Sequence, residues 1–183
     1  WWSWRTYFNF LINIDKFLKS CIIDSMKVID NYLGKNNHSI LKNTMESNSF
    51  FWFYNPTKIT FSTDLFNYQF SHIFYTNNSI NSDYFKILKD LLEKIKPLSL
   101  IRIKANLNPI SHNLVESKEH VDQPFKCKIA IYYVNSNNGY TMIDGKKVES
   151  VGDRIVFFDS DVKHYGTNST NCKNRMVINF NYF

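Results

Sequence analysis

Apolar and polar positions follow two different periods along this chain, and Pro97 divides them. Over 82–96 the residues Phe85, Leu88, Leu91, Leu92 and Ile95 recur at spacings of three and four. That period predicts one helix with a single apolar face, stopped by the proline. Beyond Pro97 the period is two. Strands are predicted over 99–106, 118–122, 126–134, 139–143, 146–150, 153–159, 162–165 and 174–182. Asn137-Asn138-Gly139 and Asp144-Gly145 supply tight turns between such runs. Upstream, a short strand is expected over 28–33 and a helix over 36–47. The segments 50–55 and 67–75 are rich in Phe and Tyr and read as further strands.

Many short strands separated by polar turns imply a sandwich, jelly roll or barrel. The helices precede most of the strands, so they are expected to form a supporting layer on one outer face of a mainly β (α+β) core. A length of 183 residues, 44% hydrophobic and 21% charged, suits one globular domain with a real core. The text changes at Met26. Residues 1–25 (Trp1-Trp2-Ser3-Trp4 onward) read as an upstream extension or an added helix, and 26–183 as the single domain. Asp15, Lys16 and Lys19 interrupt the apolar runs in 1–25, so no stretch of about 20 apolar residues forms a membrane span.

Charge and cysteines add little. The formal charge is +6, but the basic residues are scattered, and the densest group is Lys126 and Lys128 around Cys127. No arginine-rich segment or recognition-helix pattern appears, which disfavours nucleic acid as a partner. Cys21, Cys127 and Cys172 form no C-x-x-C pair and no disulfide framework, so a reducing cytoplasm is the expected compartment.

The chemistry begins at His120-Val121-Asp122. On an extended segment, residues two apart point to the same side. A second histidine from elsewhere would complete the 2-His-1-carboxylate set that holds non-haem Fe(II). With five histidines and sixteen acidic residues, an H-x-[DE] triplet arises by chance with a probability of roughly 0.4, so the triplet alone decides nothing. The residues downstream of it carry the signal. A strand-like run ends Tyr133-Val134-Asn135; then come Gly139-Tyr140-Thr141, Gly152 to Phe158, His164 and, on the last strand, Arg175. His164 is the candidate third ligand; His112, its nearest competitor, precedes the triplet. Arginine offers the planar fork that pairs with a carboxylate in two places. Met176, Ile178, Phe180 and Tyr182 alternate with Arg175, Val177 and Asn179, so the arginine is expected to face the mouth of the β core.

This order resembles the 2-oxoglutarate and Fe(II)-dependent dioxygenase superfamily in its prolyl-4-hydroxylase-like branch, including small phage and bacterial members. There the pattern runs H-x-D, a Y-L-N strand, G-x-T, a G-x-x-x-x-F strand, a distal histidine and a basic residue about ten further on. Gly152 to Phe158 carries one extra residue, and Ile101-Arg102-Ile103-Lys104-Ala105-Asn106-Leu107 looks like the strand leading into the metal site. The resemblance covers about 26–183. It implies a double-stranded β-helix (a cupin-like jelly roll) in which His120, Asp122 and His164 bind iron and Arg175 anchors 2-oxoglutarate. Tyr133 and Thr141 are candidate cosubstrate contacts. The implied reaction consumes O2 and 2-oxoglutarate, with ascorbate as a candidate reductant, and hydroxylates a protein or small-molecule substrate, a prolyl residue being the leading guess. Family members often place a tyrosine near 106–108, where this chain has Asn106-Leu107-Asn108, so either asparagine is a candidate for that role. The R-x5-R pairing of nucleic-acid demethylases is absent, since Asn181 lies six beyond Arg175. Two other classes fit the β pattern: a non-enzymatic jelly-roll binding or structural protein, and a cupin-like metal enzyme that does not use 2-oxoglutarate. Loops around 56–66 and 108–118 are expected to border the mouth.

Overall fold

A computed structural model describes residues 26–58 and 68–183, so the expectation for 1–25 lies outside the described residues. The strands are β1 (Met26–Ile29), β2 (Phe53–Asn55), β3 (Gln69–Thr76), β4 (Ser79–Ile80), β5 (Leu100–Pro109), β6 (Lys128–Tyr133), β7 (Tyr140–Ile143), β8 (Lys146–Glu149), β9 (Arg154–Asp159), β10 (His164–Gly166) and β11 (Asn174–Tyr182). The helices are α1 (Lys35–Glu46), a 3-10 helix (Asp83–Leu88) and α2 (Lys89–Ile95). A large antiparallel sheet runs β1-β9-β6-β11-β5-β3-β2, with β4 paired to β3, and a smaller sheet runs β10-β7-β8. No helix among the described residues is long and apolar enough to cross a membrane.

The central strands β6, β9 and β11 are buried on both faces, which is why they read as near-continuous apolar runs. One face carries Ala130, Tyr132, Ile155, Met176, Ile178 and Phe180 into a core shared with the helices through Leu41, Met45, Leu88 and Leu91. The opposite face sends Ile129, Ile131, Tyr133, Val156, Phe158 and Val177 against Ile143 and Val148 of the small sheet. Phe158 is thus a core residue. The helices form a supporting layer, and the two sheets face each other as a jelly roll.

Asp153 fastens the helical layer to the sheets. Its Oδ1 accepts from the Leu33 amide (2.7 Å) and the Tyr132 hydroxyl (3.0 Å), and its Oδ2 from the Gly34 amide (2.9 Å) at the start of α1. These bonds turn the chain at residues the sequence pattern assigned to a strand over 28–33, which ends at Ile29.

Three further expectations are corrected. The helix over 82–96 divides into a 3-10 helix and then α2, with Leu88 at the junction. Phe85, Leu88 and Leu91 are three apart, and a 3-10 winding aligns such residues on one side. The strand over 118–122 does not form. Only His120 makes a bridge, through paired 3.0 Å bonds to His164. Pro124, lacking an amide proton, falls in the segment that would extend it. Lastly, β2 begins at Phe53, not at 50, because Phe50 turns inward into the helical core.

Candidate active site

A cavity of about 280 Å³ opens between the two sheets. Its floor is a row of polar side chains that alternation drives to one face of β5 (Arg102, Lys104, Asn106 and Asn108) while Ile103 and Ala105 enter the core. Beside them on β11 lie Asn181, Asn179, Val177 and Arg175, paired in that order. The mouth also receives Lys58 and Ser117 from the two loops expected there.

At one end His120, Asp122 and His164 converge, with ligating atoms all within 4.8 Å of one another. The paired backbone bonds between His120 and His164 bring their rings to 4.5 Å, which compensates for the missing strand. Each Nδ1 lies against a carbonyl two residues back, Lys118 O at 3.1 Å and Val162 O at 3.2 Å. A carbonyl accepts only, so each Nδ1 carries a proton, and Nε2 is the nitrogen left for a metal. Both Nε2 atoms face Asp122, at 3.9 Å from Oδ1 and 4.0 Å from Oδ2.

Asp122 is held from behind. Arg102 Nη2 donates to Oδ1 at 3.2 Å, and Asn179 and Asn181 Nδ2 donate to Oδ2 at 2.7 and 3.2 Å. Gln123 Nε2 in turn donates to Asn181 Oδ1 at 2.8 Å. Burial alone would raise the Asp122 pKa, but His164, Arg102 and the Asn179 bond outweigh it and keep the carboxyl below its usual range. Burial also lowers the pKa of His164, so its imidazole is neutral and free to ligate. Two imidazoles with Nε2 turned toward one carboxylate, all oriented by outer hydrogen bonds, fit a divalent Fe(II)-type ion.

Arg175 stands at the other end, 2% exposed. Its Nε donates to Ser150 Oγ (2.7 Å), Nη1 to the Thr167 carbonyl (3.2 Å) and Nη2 to Thr141 Oγ1 (2.8 Å). Its guanidinium lies 5.7 Å from the centre of the Tyr133 ring. Among the described residues no carboxylate is within ion-pair distance. Three of its five N–H groups are thus used on neutral acceptors, and one hydrogen on each terminal nitrogen is left. Two glycines make room for it. A Cβ on Gly139 would lie 2.6 Å from Arg175 Cδ and 2.3 Å from the Asn168 carbonyl, and one on Gly166 would lie 3.3 Å from Nη1.

Thr141 lines the cavity beside Arg175, whereas Tyr133 stands behind it, fully buried, with its hydroxyl donating to Thr141 Oγ1 at 2.9 Å. Burial raises the Tyr133 pKa, which keeps that phenol protonated as a donor. Asn106 and Asn108 line the wall between the two ends, and His112 is exposed and outside the cluster. Arg102, Lys104, Asn181 and Ser150 were not singled out from sequence as site residues. Strand alternation was the available signal for the first three; nothing local marked Ser150, which reaches Arg175 only through the fold.

No protein-family model matches this sequence, and no curated protein does. Solved structures do resemble it. A Trichoplax adhaerens prolyl hydroxylase, solved with a hypoxia inducible factor oxygen degradation domain peptide fragment, aligns at TM-score 0.64 and 14% identity, over 100% of this chain and 94% of that one. A Burkholderia pseudomallei oxidoreductase of the 2OG-Fe(II) oxygenase family aligns at 0.60 and 8%, over 92% and 89%. The fold is that of the 2-oxoglutarate/Fe(II) oxygenases. A Pseudomonas putida prolyl-4-hydroxylase shares it at TM-score 0.55 and 12% identity, over 92% of this chain and 97% of that one. In this oxygenase fold the His-Asp-His cluster and Arg175 occupy opposite ends of one cavity between the sheets.

Proposed function

We propose that the protein is a 2-oxoglutarate- and Fe(II)-dependent dioxygenase that hydroxylates its substrate, with a prolyl residue of a protein as the leading candidate. One observation carries the reading. A buried arginine without an acid partner among the described residues faces the same cavity as a two-histidine, one-carboxylate cluster. A buried, unpaired charge is costly, and a dianionic ligand reaching from the arginine to the metal removes that cost.

His120, Asp122 and His164 would hold the iron, leaving its remaining positions for the cosubstrate. Bound iron would activate O2, the oxidant, which takes two electrons from 2-oxoglutarate and two from the substrate, so that C–H becomes C–OH with release of succinate and CO2. The chain's own task is geometry. The two free N–H groups of Arg175 take the far carboxylate of 2-oxoglutarate in a fork. Thr141 Oγ1 already accepts from Tyr133 and Arg175, so its own hydrogen is directed to the ligand. Tyr133 therefore acts through Thr141 and does not touch the cosubstrate. Ile131 and Val177 line the passage between and exclude water from the ligand's carbon chain. The peptide-bound Trichoplax neighbour supports a protein substrate by analogy of fold.

The test supplies purified protein with Fe(II), ascorbate, 2-oxoglutarate and O2 and measures succinate. It also titrates 2-oxoglutarate into the anaerobic iron-loaded protein. Succinate formation or saturable binding is expected. Absence of both would overturn the assignment.

A further inference from the structure

The cavity holds more positive charge than the proposed reaction uses. Lys58 aside, Arg102, Lys104 and Arg175 line it, and Asp122 is its only acidic lining residue among the described residues. A divalent metal and a doubly charged cosubstrate cancel each other, so a surplus of two positive charges remains. Arg175 faces the far carboxylate, and Arg102 reaches Asp122 through Nη2. The Nε of Arg102 and the charge of Lys104 have no such partner among the described residues.

Their position is fixed by register. Arg102 pairs with Asn181, Lys104 with Asn179 and Asn108 with Arg175. Four residues along a strand span about 13 Å. A five-carbon dicarboxylate is on the order of 6 Å long from its bond lengths. Anchored at Arg175 and ending at the metal, it pairs with neither Lys104 nor Arg102, whose Nη2 is on Asp122.

Two buried polar atoms in the same row have no hydrogen-bond partner: Arg102 Nε and Asn106 Oδ1. Most buried polar atoms in folded proteins are paired, so orphans on a cavity wall are where water or a ligand supplies the missing partner. Lys104 lies in the floor with no carboxylate in ion-pair distance among the described residues, and burial lowers its pKa. A basic pair on an ordinary sheet face would sit in solvent. This pair is partly desolvated, and its sole acid neighbour, Asp122, is committed to the metal cluster.

We propose that Arg102, Lys104 and Asn106 form a second anion position beside the triad, which receives a carboxylate of the molecule being oxidised. The inference rests on the oxygenase reading of this cavity. It narrows the substrate to an acid: a proline or comparable residue flanked by Asp or Glu, or a free amino or carboxylic acid. Asn106 would accept an N–H or O–H next to that carboxylate.

The test uses protein loaded with Zn(II) and saturating 2-oxoglutarate, which binds without turnover. One arm titrates two pools of six-residue peptides around a central proline, identical except that Asp and Glu in one become Asn and Gln in the other. A second arm compares L-proline with prolinamide, separating a free acid from a peptide side chain. In at least one arm the acidic probe should bind about tenfold more tightly, the worth of one hydrogen bond to a charged group. Lys104→Met should erase that preference, and Lys104→Arg should keep it, with the 2-oxoglutarate Kd unchanged in both. The proposal falls alone if neither arm shows a charge preference, if the preference survives Lys104→Met, or if that variant weakens 2-oxoglutarate equally. If the wild-type zinc form does not bind 2-oxoglutarate at all, the oxygenase reading falls and this inference with it.

Discussion

Thr141→Val tests whether the arginine end of the cavity works as one hydrogen-bonded unit. Valine keeps the volume and branching of threonine but replaces the hydroxyl by a methyl. Two buried donors then lose their acceptor, the Tyr133 phenol at 2.9 Å and one Nη2 hydrogen of Arg175 at 2.8 Å. An orphaned neutral donor costs about 1–3 kcal/mol and a bond to a charged group about 1.5–3 kcal/mol. The variant should therefore lose roughly 3–5 kcal/mol of unfolding free energy, read as a lower urea midpoint at constant m-value. Tyr133→Phe removes one donor and leaves Thr141 its other bond, so it should cost only about 1 kcal/mol. In the double variant the phenol is no longer orphaned, and the loss should fall short of the sum by about 1 kcal/mol or more. The Thr141 hydrogen is also lost to the ligand, so 2-oxoglutarate should bind about tenfold more weakly, while iron content stays near wild type. Strict additivity with Tyr133→Phe, or equal loss of iron and 2-oxoglutarate, would refute the reasoning.

Three other perturbations have defined outcomes. Arg175→Lys loses the fork and abandons acceptors at Ser150, Thr167 and Thr141, so the 2-oxoglutarate Kd should rise about a hundredfold, the cost of two charged bonds, with iron retained by metal analysis. Gly139→Ala places a methyl 2.6 Å from Arg175 Cδ and 2.3 Å from a backbone carbonyl; cosubstrate binding and thermal stability should fall together, and an unchanged melting temperature would contradict the close approach. His72 is buried with its ring between the Phe51 carbonyl and Ser82 Oγ, and burial lowers its pKa from 6.5. Below pH 6.5 the unfolded chain takes up a proton that the folded ring resists, so stability is full above that value and declines as pH falls from it toward the lowered folded pKa. Urea midpoints between about pH 8 and 5 should show this slope, and His72→Phe should reduce it.

The sheet order and the cavity were legible for different reasons. Strands β5 to β11 announce themselves through period two where one face lies in a core, through near-continuous apolar runs where both do, and through the turn residues between them. The facing of Arg175 followed from the same alternation on β11, and its register now places it four residues from Asn179 and six from Asn181, both donors to Asp122. Alternation failed at 118–122. There the His120 and Asp122 side chains converge through a single bridge to His164 and a local His120–Lys118 contact, and neither leaves a periodic trace. The 3-10 start of the 82–96 segment was hidden as well, since spacings of three occur in both windings.

The spacing Tyr133, Gly139, Thr141, Arg175 gains a physical meaning from this geometry. Gly139 is required because Arg175 Cδ and a backbone carbonyl fill the space of a side chain, and Thr141 because one hydroxyl must accept from two donors and still donate. Tyr133 is required to be protonated and buried behind it. Tyr133, Gly139 and Thr141 are therefore one cradle that holds the Arg175 cation, with no carboxylate in ion-pair distance of it among the described residues. On the proposed reading the cradle selects only the cosubstrate. Selection of the molecule to be oxidised then falls to the triad end of β5, where Arg102 and Lys104 line the cavity and Arg102 Nε has no partner.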